Sequence, residues 1–416
     1  MADARQQPDD AWWRGLLADP EAAEQALADP ATRAAFVAAA AALQAEHDDM
    51  TLLHEATLDH ANEIEEQLAV KVEQVEALVV ELEVRNAFIR EVFGRYITDE
   101  VVNTLLESPE GRQLGGERRT ITLLLSDLRG FSTLCEGLGP EQVLQILNIY
   151  LGAMADVIGE YRGSINEFIG DAILAVFGAP VQQEDHPERA VACALAMQRA
   201  MSRVNAELAE HGLPALEMGI GVHTGEVVVG NIGSSKRAKY GVVGSHVNLA
   251  SRIESYTVGG QVLISESTAA VLGDRLRTRQ SFQVLPKGAR EAITIYDVCG
   301  LAGDPELVLR EPVTTRRSLV AGVSVRFIVL EGKDASGEPL AATLLSLDDR
   351  GDAELAAAYV PDLLASIKLV LDSVPDEDVY AKVLECSHDH GIFRVRLAAV
   401  PPRLAAALDA LPWVTS

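Results

Sequence analysis

The sequence predicts a three-part chain: a long helical N-terminal region, a central α/β domain and a small β-barrel at the C-terminal end. Three observations carry this. Apolar residues repeat at heptad spacing from Leu58 to Phe93. In the middle, two short apolar runs flank the turn pair Gly170-Asp171, and long amphipathic helical patterns alternate with strand-like runs. After Gly303-Asp304-Pro305 the texture changes to short strand-like segments.

Met1 to Asp9 is polar. Asp10 to Gln44 is alanine-rich and helical, with Asp19-Pro20 and Asp29-Pro30 as helix starts, because Pro suits the first helical position. Trp12 and Trp13 read as packing residues, since aromatics mostly bury for area. The heptad places Leu58, Glu65, Val72, Val79, Asn86 and Phe93 at a, and Ala61, Leu68, Val75, Leu82 and Ile89 at d. Valine at a with leucine or isoleucine at d favours a parallel two-stranded coiled coil; one Asn at a fixes register, and Glu65 weakens the N-terminal end. The alternative is a single amphipathic helix packed on its own domain; the lack of Gly and Pro throughout the stretch favours the coil. Ser108 to Glu117, with Pro109, Gly111, Gly115 and Gly116, reads as a linker.

The central domain opens with Thr120 to Ser132, T-I-T-L-L-L-S-D-L-R-G-F-S. Ile121, Leu123, Leu124 and Leu125 suit a buried central strand. Asp127 stands at its end, followed by Gly130 and a helical pattern. That order suits a metal-bound phosphate: the carboxylate takes the cation, and backbone N–H groups of Gly130, Phe131 and Ser132 at the helix start face the anion. The hairpin I-N-E-F-I-G-D-A-I-L-A-V-F-G, Ile165 to Gly178, carries Asp171 at its turn and Glu167 four residues earlier, inside an otherwise apolar strand where a charge needs a partner. Taken alone, Asp171 could be turn chemistry and Glu167 an edge residue. Together, Asp127 and Asp171 at neighbouring strand ends can hold two Mg²⁺ ions around one phosphoryl group. Glu141 to Tyr161 and Pro187 to His211 read as helices, with His186 a helix-start residue. Met218 to Val229 and Tyr240 to Val243 read as strands around a glycine-rich loop holding Lys236, Arg237 and Lys239. Val247 to Ser255 reads as a helix, and Gln261 to Ser265 and Tyr296 to Val298 as closing strands.

Composition bounds the function. The chain has 416 residues and a formal net charge of −27, so DNA, RNA and anionic lipid are repelled. An anionic substrate must then be drawn by metal and a local basic cluster. The four cysteines, Cys135, Cys193, Cys299 and Cys386, lack metal-ligand spacing and read as thiols of a reducing compartment. Ala34 to Leu43 is too short to span a bilayer. A cytoplasmic protein without membrane insertion is expected.

Three stretches, S-D-L-R-G-F-S, N-E-F-I-G-D-A-I-L-A-V-F-G and Y-G-V-V-G-S-H-V-N-L-A-S-R-I-E-S, resemble the class III nucleotidyl cyclases, which make cyclic AMP or cyclic GMP. The resemblance runs from about Glu117 to Leu301. It implies an α/β sandwich with a β-α-β-β-α-β core, acting as a head-to-tail homodimer on ATP or GTP. It implies that Asp127 and Asp171 bind two Mg²⁺ or Mn²⁺ ions. Asn248 would orient the ribose and Arg252 neutralise charge at the α-phosphate, while Lys287, in L-P-K-G, and Arg237 would reach the triphosphate. The metal carboxylates would come from one subunit and the remaining groups from the other. Glu167 and Gly241 take the positions that read the base; glutamate there is the guanylate-type residue, and glycine offers no side chain. The segment from Phe93 to Leu106 resembles the one preceding many bacterial cyclase domains and would transmit changes in coil geometry. These readings divide the chain into residues 1–45, a helical segment; 46–107, the coiled coil and coupling helix; 117–301, the cyclase domain; and 306–416, the barrel.

Within the last part, Ser324 to Leu330, Leu340 to Ser346, Val379 to Leu384 and Ile392 to Leu397 read as strands and Arg403 to Leu411 as a closing helix. This part resembles the PilZ domain, a cyclic di-GMP receptor, in degenerate form. Arg316 and Arg317 are adjacent rather than spaced as that family's arginine motif requires. Ser346-Leu347-Asp348-Asp349-Arg350-Gly351 stands where its second motif has Asp and Ser in other places. Two alternatives stand beside the enzyme reading. A non-catalytic signalling scaffold would not need Asp127, Asp171, Asn248 and Arg252 together. A diguanylate cyclase would want a G-G-D-E-F-like turn where this chain has F-I-G-D-A.

Overall fold

The computed structural model describes residues 18–94, 114–234, 237–286, 291–310, 314–330 and 337–415, together with Ala11, Arg14 and Gly15. The chain forms two compact units, Met1–Val92 and Phe93–Ser416.

The first unit holds helix α1 (Pro20–Leu27) and helix α2 (Pro30–Gly94). Asp19 caps α1 by accepting from the Glu21 and Ala22 amides, and Asp29 accepts from Thr32 N at the start of α2. Both Asp-Pro pairs therefore start helices as the sequence predicts. Beyond Pro30 the helix runs for 65 residues through the position where the sequence suggested a change of segment, near residue 45. Its d-position residues Leu68, Val75 and Leu82 are 60, 59 and 56% exposed, a long apolar stripe open along the helix. Trp12 and Trp13 lie outside the described residues, as does most of Phe93 to Leu106.

The second unit opens with strand β1 (Gly115–Leu128), which takes in Gly115–Glu117, the end of the expected linker. It continues through α3 (Phe131–Glu136), α4 (Pro140–Glu160), β2 (Ser164–Ile169), β3 (Ala172–Phe177), α5 (His186–Glu210), β4 (Met218–Ser234), β5 (Arg237–Val243), α6 (Ser245–Ser255), β6 (Val262–Ser265), α7 (Glu266–Leu272), β7 (Leu276–Val284) and β8 (Ile293–Leu301). The sheet order is β2-β3-β1-β4-β6-β8-β7, with β5 on β4. The first six core elements are β-α-β-β-α-β, and β1 is antiparallel to both β3 and β4.

β1 is buried on both faces because it lies centrally. Ile121, Leu123 and Leu125 pack with Ala250 of α6, while Leu124 and Leu128 face the α4–α5 layer with Ile146, Tyr150 and Leu195. Helix α4 is long and apolar enough by length and composition to cross a bilayer, but Ile146, Tyr150, Met154 and Ile158 of that helix are buried in this core. On the opposite face α6 lies close to β4. Side chains at Gly221 and Gly225 would collide with Glu254 and His246, so glycine permits that approach.

A closed six-stranded barrel follows, built from β9 (Arg316–Val329), β10 (Leu340–Asp348), β11 (Asp352–Ala357), β12 (Ser366–Leu371), β13 (Asp378–Ser387) and β14 (Ile392–Ala398), with helix α8 (Pro402–Asp409) and β15 (Trp413–Thr415). Strands β9 and β10 pair to close the circuit β9-β10-β11-β14-β13-β12. Phe327 and Phe393 meet edge to face at 5.4 Å in its core. Strands β11, β12 and β15 were not read from the sequence.

Candidate active site

β1 and the β2–β3 hairpin bring the two aspartates together. Ser126 pairs with Ile173 across β1 and β3, so the turn residue Asp171 comes alongside the end of β1. Its Oδ2 accepts from the Leu128 amide at 3.2 Å. Gly170 takes φ 67°, the left-handed conformation that the tight turn requires. Burial, and then the neighbouring Asp127 carboxylate, push the Asp171 carboxyl up to about 6. Two carboxylates that repel one another at adjacent strand ends are hard oxygen donors for Mg²⁺, which uses one or two carboxylates plus substrate phosphate. The donor set therefore fits the ion. Among the described residues no cluster of three or more His, Cys, Asp or Glu adds to the pair.

Arg129 was not singled out in the sequence. It ion-pairs with Glu254 of α6 and lies 3.7 Å from Asp127. Burial lowers its pKa, against the opposing pull of Asp127 and Asp171. Gly130 (φ 68°) then starts α3, with Phe131 buried and Ser132 exposed.

Asn248 and Arg252 sit four residues apart on one face of α6, Asn248 exposed and Arg252 half-buried. Among the described residues neither bonds to Asp127 or Asp171 of the same chain. The start of α6 is fixed by a buried polar chain. His246 stacks on His223 and bonds it at 2.7 Å, and His223 bonds Ser265 at 2.8 Å. Burial, and then His246, lower His223 to about 4, so it is neutral at physiological pH. His186 begins α5, as the sequence suggests, and bonds Thr122 at 2.8 Å.

Glu167 lies exposed on the edge strand β2, where the register slips between Ile165 and Glu167, and it has the partner that a charge in this strand needs. Its partner is Lys239 of β5, 2.7 Å away. Gly241 lies two residues on, along the same strand, buried, with space toward Asn166 and the Lys239 stem. Lys239 and Asn166 thus join the two base-position residues, which sequence spacing could not show. Arg237 is exposed at the far end of the β4–β5 hairpin. Lys236 and Lys287 lie outside the described residues.

In the barrel, the motif residues are engaged within the protein. Arg316 pairs with Glu354 at 3.5 Å; Arg317 pairs with Asp409 at 3.1 Å and stacks on Trp413. Asp348 accepts from the Arg350 and Asp352 amides at 2.9 and 2.8 Å, serving the turn. A cavity of about 1120 Å³ between barrel and sheet is lined by Arg279, Arg316, Arg350 and Arg396 among others.

Residues 116–298 match the family described as the adenylate and guanylate cyclase catalytic domain. Adenylate cyclase 1 of Rhizobium meliloti is 33% identical over 211 residues, covering 50% of this chain and 32% of its own length. The adenylate cyclase of Anabaena cylindrica is 34% identical over 221 residues, covering 50% of this chain and 42% of its own. The chain thus spans less than half the length of the curated relatives it matches. A solved structure, the crystal structure of the guanylyl cyclase Cya2, is 55% identical over 47% of this chain and all of its own, with a TM-score of 0.46.

Proposed function

Because residues 116–298 belong to the adenylate and guanylate cyclase catalytic domain family, we propose that the chain converts a nucleoside triphosphate to its 3′,5′-cyclic monophosphate and pyrophosphate, at sites shared between two subunits. The observation that carries this is the paired Asp127 and Asp171 carboxylates at adjacent strand ends, with Asp171 raised by burial and then by its neighbour. Two Mg²⁺ or Mn²⁺ ions held by this pair would neutralise the triphosphate and acidify the ribose 3′-hydroxyl. The backbone N–H groups of Gly130, Phe131 and Ser132 face the triphosphate, with Arg237 and Lys287 reaching it from the other subunit. Asn248 of that subunit orients the ribose, so that the 3′-oxygen lies in line with the α-phosphorus. Arg252 neutralises the charge that develops there.

Sharing of the site is supported by two features. Asn248 and Arg252 make no bond to the carboxylate pair of their own chain among the described residues, and Phe168 and Ile169 stand exposed on β2 beside it. The open apolar stripe of α2 supports a dimeric coiled coil. Four unpaired cysteines fit a reducing cytoplasm.

The favoured base is guanine. An ionised Glu167 is an acceptor, and guanine presents N1–H and the 2-amino group side by side as donors. Adenine would set its N1 lone pair against the carboxylate, a mismatch worth roughly 1–3 kcal/mol once the bound base and the second subunit cover the site. Where Gly241 offers no side chain, Lys239 at 2.7 Å from Glu167 offers a donor for O6.

The test is the purified chain with GTP and with ATP, under Mg²⁺ and under Mn²⁺, reading cyclic nucleotide and pyrophosphate together. Cyclic GMP is expected as the larger product. Formation of neither cyclic nucleotide under either metal would remove the enzyme reading and leave a scaffold.

A further inference from the structure

Helix α6 ends with four carbonyls, those of Arg252, Ile253, Glu254 and Ser255, that the helix itself leaves without partners. The cyclase domain supplies three of the four. The Ser255 hydroxyl donates to Arg252 O at 2.7 Å, Tyr256 N to Ile253 O at 3.2 Å, and Thr257 to Glu254 O through both N and Oγ1, at 2.9 and 2.7 Å. The fourth, Ser255 O, is met by the barrel: the Lys382 ammonium on β13 donates to it at 2.8 Å and to Ser366 Oγ at 2.7 Å.

The barrel is seated around this contact. Leu364 joins Ile253, Phe282, Val284 and Ile295 in one apolar cluster. Ala399 lies so close over Gly130 that a side chain there would collide with its methyl. Both catalytic elements, α6 and the turn after Asp127, are therefore touched by the barrel. Among the described residues no carboxylate pairs with Lys382. Burial, and then the nearby Arg129, lower its pKa to about 8. What favours the cation at this point is the negative end of the α6 dipole.

We propose that Lys382 is a positioning residue for cyclisation, contributed by the C-terminal barrel, which caps the last turn of α6 and thereby holds Arg252 toward the reacting phosphate. This rests on the cyclase reading of Arg252. An arginine that acts on charge developing in the transition state affects turnover more than substrate binding. Displacing it should therefore lower kcat and spare KM.

The experiment compares full-length wild type, Lys382→Met, Lys382→Arg and Leu364→Ala. Met retains the bulk of the stem and removes the donor; Arg retains a donor; Leu364→Ala loosens the same seat without touching the cap. Steady-state kinetics is paired with hydrogen exchange at the Tyr256 and Thr257 amides. Lys382→Met should lower kcat about tenfold, the worth of one charge-assisted hydrogen bond, with KM changed less than about twofold. Exchange at both amides should quicken about tenfold. Lys382→Arg should recover most of the loss, and Leu364→Ala should move both readouts in the same direction as Lys382→Met. Unchanged kcat with unchanged exchange would overturn the proposal, and so would a rise in kcat, which would make the barrel a restraint. If wild type cyclises neither nucleotide, the cyclase reading falls, and unchanged exchange in Lys382→Met would separately overturn the cap.

Discussion

Replacing Asp171 with asparagine should stabilise the metal-free protein while abolishing its activity. Asp171 is held at about 6 against the usual 3.8, by burial and by Asp127. One pKa unit is worth about 1.4 kcal/mol. The carboxyl is only partly buried, so solvent screening reduces the cost of its charge to about 1–2 kcal/mol. The sign follows from linkage: a carboxyl with a raised folded-state pKa penalises the fold in full above pH 6. That penalty fades as the pH falls from 6 toward 3.8. Asparagine carries no charge, and its side-chain oxygen can still accept from Leu128 N, which Asp171 Oδ2 now does at 3.2 Å. The variant's melting temperature at pH 7.5 without metal should rise by about 2–8 °C, at 2–4 °C per kcal/mol for a domain of this size. The gain should shrink between pH 6 and pH 4. Wild type should be stabilised by added Mn²⁺ and the variant much less. Thermal melts at several pH values with and without Mn²⁺, beside cyclase assays, test all of this. A variant that melts lower than wild type at pH 7.5, or that keeps near-normal turnover, would refute the carboxylate-pair reasoning.

Three further outcomes are expected. Asp171→Asn and Arg252→Ala should each be inactive alone, yet recover activity when co-expressed, because the heterodimer contains one intact shared site; demonstrated heterodimers without activity would defeat the sharing. Wild type should prefer GTP, and Glu167→Lys should move the preference toward ATP by about tenfold to a hundredfold, since an ammonium donates to adenine N1 but cannot accept from guanine; a wild type preferring ATP more than tenfold would contradict this. The chain should not bind cyclic di-GMP, since Arg317 is engaged by Asp409 and Trp413 and Asp348 by its own turn; micromolar binding by calorimetry would show otherwise.

The sequence by itself determined many of the elements and brought out Asp127 and Asp171 as candidate metal-binding carboxylates. Asp19-Pro20 and Asp29-Pro30 started helices, and the apolar run from Ile121 to Leu125 became the central strand, because capping and burial periodicity act over a few neighbouring residues. Asp127 and Asp171 were legible as a pair for the same local reason: each stands where a strand stops. Tertiary structure decided what those residues face. The environment of Glu167 depends on a register slip in β2 and on Lys239, 72 positions away, and neither leaves a local pattern. The Arg129 link to Glu254 spans 125 positions, and the Lys382 contact with Ser255 spans 127. Strands β11 and β12 escaped notice because half-buried barrel strands owe their stability to cross-strand neighbours rather than to intrinsic preference. Partners of this kind are chosen by sheet order and domain packing, which bring distant segments together only once the whole chain has folded.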